Sequence, residues 1–280
     1  MHHPHRFLLA GVMGWPIAHS RSPKIHNHWL TQYGLEGFYA PLAVEPGALE
    51  AALRALPALG FAGCNLTIPH KEAALPFLDR IDANARRIGA VNCVVVDAQG
   101  ALEGRNYDGF GFIASVRAQA PGWRAEAAPA AVIGAGGGAR AIVAGLLDAG
   151  ATEVRVFNRT AARAQALAGD FGGRVVAHPW SERNEWLAGA GLVVNTTSQG
   201  MIGQPPLDLS LNTAPSSAIV ADIVYAPLET PLLAAARAQG LRVVDGLGML
   251  LHQARPAFRD WFGVMPEVTP ALRALIAATL

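Results

Sequence analysis

Residues 131–147 read AVIGAGGGARAIVAGLL: an apolar run, a turn with glycines at Gly134, Gly136, Gly137 and Gly138, and a small-residue helical pattern beginning at Ala139. A chain that leaves a buried strand (Val132, Ile133) and enters a helix within a few residues needs glycine for the bend. It needs another so that backbone N–H groups can approach an anion, and small residues so that the helix sits close on the sheet. The unpaired N–H groups and the dipole of the helix start then face the turn, an arrangement that holds a pyrophosphate. Glycine clusters also serve plain turns, but a strand before and a helix after select the dinucleotide-binding reading.

The next apolar run, 153–157, ends at Asn158, 24 positions beyond Gly134. An NAD site places Asp or Glu near this point to hold the ribose 2′-hydroxyl. Here the chain gives Asn158, Arg159 and Thr160, with Arg163 close behind. A carboxylate would repel a 2′-phosphate, whereas guanidinium and hydroxyl groups accept it, so NADP is the expected cofactor. The plainer reading is that both arginines only solvate a helix start.

Strand–helix alternation runs the whole length. Short apolar or β-branched runs fall at 7–13, 37–44, 60–67, 91–96, 131–134, 153–158, 174–177, 192–196, 218–223 and 241–245, with helical spacing between them. The pattern predicts an α/β protein of parallel sheets covered by helices on both faces. At 280 residues and 51% hydrophobic, the chain can bury one large core or two ordinary ones and is too apolar for disorder. The Pro/Ala-rich stretch 118–129 reads as a surface connection ahead of the glycine turn.

A net charge of +1 without a basic run gives no reason to expect a nucleic-acid partner. Cys64 and Cys93 match no metal spacing and are too few for a disulfide framework, which suits two thiols in a reducing cytoplasm. No metal is expected. The start, MHHPHRFLLAGVMG, lacks a signal peptide's apolar stretch, and His2, His3 and His5 read as a tail or expression remnant. The longest apolar stretch is broken by Arg140 and glycines, so no membrane span is expected.

The first half must supply a substrate. Ser20 and Ser22 precede a helix with Pro23 at its start, where hydroxyls and free N–H groups favour a carboxylate; simple capping by Ser22 fits the same residues. Asn65, Thr67 and Lys71 crowd polar groups at the carboxyl end of a strand, where open α/β sheets bind ligands. Asn92 opens another strand, and Asp108 follows the loop 104–107. Taken singly, Lys71 suits a solvated helix and Asp108 an N-cap. Together, an ammonium and a carboxylate from two loops suit a buried pair beside a hydride acceptor.

The stretches GWPIAHSRSPKIHN, NLTIPHK, GAVNCV, GRNYDGFGF, GAGGGARA, NRT, NTTSQGM, DIVYAPLETPLL and DGLGMLLHQARPAFRDWFG follow one another along essentially the whole chain. In these the sequence resembles the shikimate dehydrogenase family. The resemblance implies NADPH-dependent, reversible reduction of 3-dehydroshikimate to shikimate, on the route to aromatic amino acids. It implies Lys71 and Asp108 as catalytic residues, with Lys71 the proton donor. Ser20 and Ser22 would hold the substrate carboxylate, and Thr67, Asn92, Tyr225 and Gln253 the remaining substrate groups. The Gly134–Gly138 turn, Ala139, Asn158, Arg159, Thr160 and Arg163 would hold the cofactor, with Thr196, Met201, Gly246 and Met249 on its nicotinamide side. Two positions depart from the family's usual threonines: Cys93 after the pocket asparagine and Tyr107 before the aspartate.

The expected architecture is two α/β domains around a cleft, the C-terminal one a Rossmann-type doubly wound parallel sheet. Residues 1–113 plus 247–280 are expected to form the substrate domain and 114–246 the NADP domain, with the glycines of Asp245-Gly246-Leu247-Gly248 as a hinge. A hydroxyl-binding pocket discriminates weakly against one added hydroxyl, which keeps a quinate/shikimate dehydrogenase with broader substrate or cofactor use as the alternative. A non-catalytic NADP-binding sensor is the rival from another class. It would have no use for Lys71, Asp108, Ser20, Ser22 and Gln253 together. The expected partners are small molecules only, for a cytoplasmic monomer or homodimer.

Overall fold

Apolar runs too short for helices and punctuated by glycine or proline become strands, and the computed structural model, which describes residues 7–280, contains twelve. The histidines at the start of the chain lie outside the described residues. Contacts divide the chain into two compact units: residues up to Tyr107 with Ala254–Ile276, and Asp108–Gln253 with Ala277–Leu280.

The first unit holds β1 (Leu8–Gly14), α1 (Ser22–Gln32), β2 (Gly37–Ala43), α2 (Leu49–Ala55), β3 (Phe61–Leu66), α3 (His70–Ala73), β4 (Arg80–Ile81), α4 (Ala83–Ile88), β5 (Cys93–Val96) and β6 (Leu102–Arg105). Its sheet order is β2-β1-β3-β5-β6-β4. This sheet is mixed, because β5 runs antiparallel to both β3 and β6. β5 and β6 are joined by a tight turn in which the Asp97 carboxylate accepts from the Gln99 and Ala101 N–H groups, and such a turn can only reverse the chain. The reversal brings the start of β5 to the same edge as the ends of β1, β3 and β6.

The second unit holds α5 (Asp108–Gln119), β7 (Ala130–Ile133), α6 (Gly137–Asp148), β8 (Val154–Phe157), α7 (Ala161–Phe171), β9 (Val175–His178), β10 (Leu192–Asn195), β11 (Ile219–Asp222), α8 (Pro231–Ala238) and β12 (Arg242–Val244). All its strands are parallel, in the order β9-β8-β7-β10-β11-β12 of a doubly wound dinucleotide-binding sheet. β7, β10 and β11 are buried throughout, as central parallel strands covered on both faces must be. α9 (Gly246–Phe262) gives its first turns to this unit and its end to the first unit, which α10 (Pro270–Ala277) completes up to Ile276.

The divisions fall at 107/108 and 253/254 rather than at 113/114 and 246/247. α5 lies backbone-to-backbone on α6: a Cβ added at Gly109 would stand 2.5 Å from the Ala141 carbonyl oxygen. The glycines read as a hinge are instead close-packing positions inside α9. A Cβ at Gly246 would meet the Ile223 and Val224 carbonyls at 2.5 Å, and one at Gly248 the Ser115 hydroxyl at 2.2 Å.

In the first unit Ile25, Trp29 and Leu30 give α1 its buried face, which meets the end of α9 in an aromatic cluster. Trp29 and Phe258 meet edge to face at 5.5 Å, and the Trp261 indole donates to the Val94 carbonyl at 3.0 Å. Gly63 on β3 permits that approach: its φ is +151°, and a Cβ there would come within 2.0 Å of the Val94 oxygen and 2.3 Å of the Trp261 nitrogen. Gly63→Ala is therefore expected to destabilise the protein by at least ~2 kcal/mol. Gly47→Ala, which meets nothing within 4 Å, should stay within about 0.5 kcal/mol of the parent in urea unfolding followed by tryptophan fluorescence.

Candidate active site

In the first unit β1 leads outward to β2 on one side while β3 begins the other side, so the sheet order reverses between β1 and β3. The carboxyl ends of strands at such a reversal are where open α/β sheets leave a crevice for ligands. Ser20 and Ser22 follow β1, and Thr67 and Lys71 follow β3.

The helix start differs from the expected cap. α1 begins at Ser22 itself, with Arg21, whose guanidinium has no acceptor for a cap bond, in the cap position and Pro23 in the first turn, where it needs no donor partner. The Ser22 N–H donates to the Ser20 hydroxyl at 3.3 Å. The Ser22 side chain, buried, lies instead beside the phenol of Tyr39.

Tyr39, fully buried on β2, donates to the Asn65 Oδ1 at 2.6 Å, and Asn65 donates to the Asn92 carbonyl at 2.8 Å. Burial raises the phenol's pKa well above its ordinary value, so it stays a donor. His26 stacks on Tyr39 with ring centroids 4.1 Å apart. Neither of its nitrogens has a hydrogen-bond partner, and burial lowers its pKa to about 3, so the ring is a neutral packing surface.

Lys71, half-buried in α3, accepts the Val91 N–H on its carbonyl at 2.7 Å. The adjoining Asn92, 2% exposed, accepts the Tyr107 N–H on its Oδ1 at 2.9 Å. Two short hydrogen-bonded links therefore join the Lys71 backbone, the Asn92 carboxamide and the residue that covalently precedes Asp108. Ser20, Ser22, Thr67, Lys71 and Asn92 stand at one edge of one sheet. Asp108 is the buried first residue of α5, inside the helix rather than capping it.

In the second unit Gly134, at φ +117°, turns the chain out of β7. Its N–H donates to the Phe157 carbonyl at 2.7 Å, and a Cβ there would strike the Thr196 hydroxyl at 2.5 Å. Gly136 is the exposed cap of α6, which Gly137, Gly138 and Ala139 begin, leaving their N–H groups at a helix start. Asn158 braces its own loop by donating to the Thr160 carbonyl at 2.9 Å. Arg159, Thr160 and Arg163 are exposed around the first turn of α7, a second positive helix start carrying two guanidinium groups.

Not every expected cofactor residue offers a free group. Thr196 spends its hydroxyl on the Ile133 carbonyl at 2.7 Å, closing the glycine turn, and Gly246 is required by packing. Met201 is exposed in the loop after β10, whereas Met249 packs half-buried against the core. Tyr225 follows β11 half-buried, and Gln253 donates to the Leu250 carbonyl at 3.1 Å.

Two constellations escape sequence reasoning. Tyr39 reads as an ordinary core aromatic because nothing local announces its bond to Asn65, 26 positions away. Asp222 reads as the end of a strand, yet it is 2% exposed and accepts from Asn195 (3.0 Å), Thr230 (2.8 Å) and the Val224 N–H (3.0 Å). Asn195 in turn accepts from the Thr197 N–H and hydroxyl, which shapes the loop carrying Thr196 and Met201. The only signal was the clustering of Asn, Thr and Asp at strand ends.

Among the described residues no helix is long and apolar enough to cross a membrane, and no group of His, Cys, Asp and Glu could hold a metal ion. Cys64 and Cys93 are buried free thiols.

A glycine turn into a helix start, exposed arginines after the second strand, and a separate unit with a lysine and hydroxyls at a sheet reversal define a dinucleotide-dependent α/β oxidoreductase. Residues 12–94 match the family model of the shikimate dehydrogenase substrate-binding domain, 117–223 that of shikimate/quinate 5-dehydrogenase, and 246–276 that of the shikimate 5′-dehydrogenase C-terminal domain. The chain is 57% identical over 272 residues, 96% of either chain, to the shikimate dehydrogenase (NADP(+)) of Rhodospirillum rubrum. It superposes with a TM-score of 0.86 and 40% identity on the shikimate 5-dehydrogenase of Thermus thermophilus in complex with NADP(H) and shikimate, covering 98% of this chain and 100% of that one. It also superposes, at TM-score 0.87 and 32% identity over 98% of each chain, on a quinate dehydrogenase of Corynebacterium glutamicum in complex with NAD. The chain belongs to the shikimate dehydrogenase family. A non-catalytic NADP-binding sensor is set aside, since the curated relatives are dehydrogenases.

Burial raises the Asp222 carboxyl from its ordinary 3.8 to about 6 against the pull of its three donors. The folded state thus holds a proton that the unfolded state releases, so this group's contribution to stability is fullest below about pH 4 and is lost as pH rises through about 6. Asp222→Asn should remove this group's share, on the order of 3 kcal/mol, from the difference between denaturation free energies measured at pH 4 and pH 7.

Proposed function

We propose that this protein interconverts 3-dehydroshikimate and shikimate, taking NADPH in the reducing direction, with Lys71 as the proton donor and Asp108 orienting it. The observation that carries the reading is the pair of backbone links from Lys71 through Val91 and from Asn92 to Tyr107, which ties the proposed acid, a hydroxyl ligand and the residue before Asp108 to one sheet edge. The family relatives with NADP(+) in their names, and the solved neighbour with shikimate and NADP(H), support the substrate and the cofactor.

In this reading the first unit binds substrate. Ser20 and Ser22 receive its carboxylate, where the α1 start adds a favourable dipole. Thr67 and Asn92 hold ring oxygens. The cofactor, when bound, supplies the hydride; its pyrophosphate fits the bare N–H groups at Gly136–Ala139, and its 2′-phosphate fits the guanidinium groups of Arg159 and Arg163. Lys71 stabilises the negative charge growing on the carbonyl oxygen and delivers a proton to it, so that one hydride and one proton convert the ketone to the alcohol. The reading needs neither nucleic acid nor metal, and a monomer or homodimer serves it equally.

Two assays test it. Purified protein with shikimate and NADP in alkaline buffer should raise absorbance at 340 nm, with kcat/KM for quinate well below that for shikimate. No absorbance change with shikimate would end the reading, and a preference for quinate would move it to quinate dehydrogenation. Lys71→Ala should lower kcat at least ~100-fold, as loss of a general acid does. A variant turning over at the parental rate would remove Lys71 from the proton transfer.

A further inference from the structure

Tyr107 is fastened at both ends within the first unit. Its N–H donates to the Asn92 Oδ1 at 2.9 Å. Its phenol donates to Asp260, at the end of α9, through a short hydrogen bond. Asp260 is a built acceptor rather than a passing surface group: its side chain is 7% exposed, and Arg105 and Arg259 reach its two oxygens at 2.7 and 3.0 Å. Arg105 is itself fixed by Glu103 at 2.8 Å on β6. The phenol is kept protonated, because burial and the neighbouring carboxylate both raise its pKa.

A residue tied at backbone and ring tip has no freedom to translate. The next residue along the chain is Asp108, and the group that accepts the backbone bond is the carboxamide of Asn92. We propose that Tyr107 and Asp260 are positioning residues: the phenol–carboxylate bond sets the backbone on which Asp108 is carried and orients the Asn92 side chain toward substrate. Neither residue touches the reacting atoms. The proposal rests on the shikimate reading of the preceding subsection. A threonine at position 107 would be too short to reach α9, so the tether depends on the tyrosine of this chain.

Tyr107→Phe keeps the ring and deletes only the hydroxyl, so the fold should persist, as an unchanged midpoint of thermal unfolding would verify. In that variant kcat for shikimate oxidation should fall about tenfold, since displacements below 1 Å at a catalytic group cost rates of that order, while KM for NADP stays within about twofold. Amide hydrogen exchange in the peptide spanning 105–110 should quicken, because the bond to Asn92 loses its second anchor. Asp260→Asn, which retains an acceptor for the phenol, should lie nearer the parent than Asp260→Ala in both measurements.

Parental kcat in Tyr107→Phe, whether or not exchange quickens, would overturn the proposal. So would a fall in kcat with exchange unchanged, which would assign the phenol a direct role instead. An inactive parent protein would fail the shikimate reading itself, a result distinct from an active parent whose Tyr107→Phe variant is equally active.

Discussion

One backbone bend organises the second unit. At Gly134 the chain leaves β7 with a positive φ, and the three strands around it close on that point. The Gly134 N–H bonds the last carbonyl of β8, and the Thr196 N–H and hydroxyl both bond the last carbonyl of β7. No side chain fits there, since a Cβ would displace the Thr196 hydroxyl. The bend leaves the start of α6 bare, so its N–H groups and dipole stay available to an anion. The exposed arginines after β8 extend that positive edge. In the proposed reading, cofactor choice follows from which side chains stand one strand away from the bend.

The first unit solves a different problem, that of bringing polar groups distant in sequence to one rim without leaving them unpaired. The reversed strand β5 does this. Because it runs against β3, its start, with Asn92, lies where β3 ends. The buried amides then satisfy one another: Tyr39 bonds Asn65, Asn65 bonds the Asn92 backbone, and the Asn92 side chain takes the Tyr107 N–H. A buried polar network stabilises only when every member is paired, and this one is nearly closed. One misplaced member would disturb the others, which is the ground for the positioning role proposed for Asp260.

Much of this is legible in the amino-acid sequence for local reasons. Buried parallel strands such as β7, β10 and β11 carry unbroken apolar runs, and the glycine turn must be glycine whatever surrounds it. β4 and β6 are illegible for equally local reasons: β4 has two residues, and β6 reads Leu-Glu-Gly-Arg, without the β-branched alternation that marks a strand. The direction of β5 depends on a turn stabilised by Asp97, and the stretch Asp97-Ala98-Gln99-Gly100 reads as a turn without announcing its consequence for Asn92. At the candidate site, the positions of Ser20, Ser22, Thr67 and Lys71 just beyond strand ends, and of Arg159 at a helix start, were legible from residue type and motif. Tyr39, Asp222 and Asp260 were not, because their roles arise from partners 26, 27 and 153 positions away.

The claim on which most depends is that the positive edge beyond the bend reads a phosphate on the cofactor's ribose. The ratio of kcat/KM for NADP to that for NAD, with shikimate as substrate, measures it in the parent protein and in Arg159→Ala. The parent should favour NADP, and removing a guanidinium that meets a phosphate should cut the ratio about tenfold or more, chiefly through KM for NADP. A ratio that is the same in both proteins, or a parent that uses NAD as readily, would contradict it.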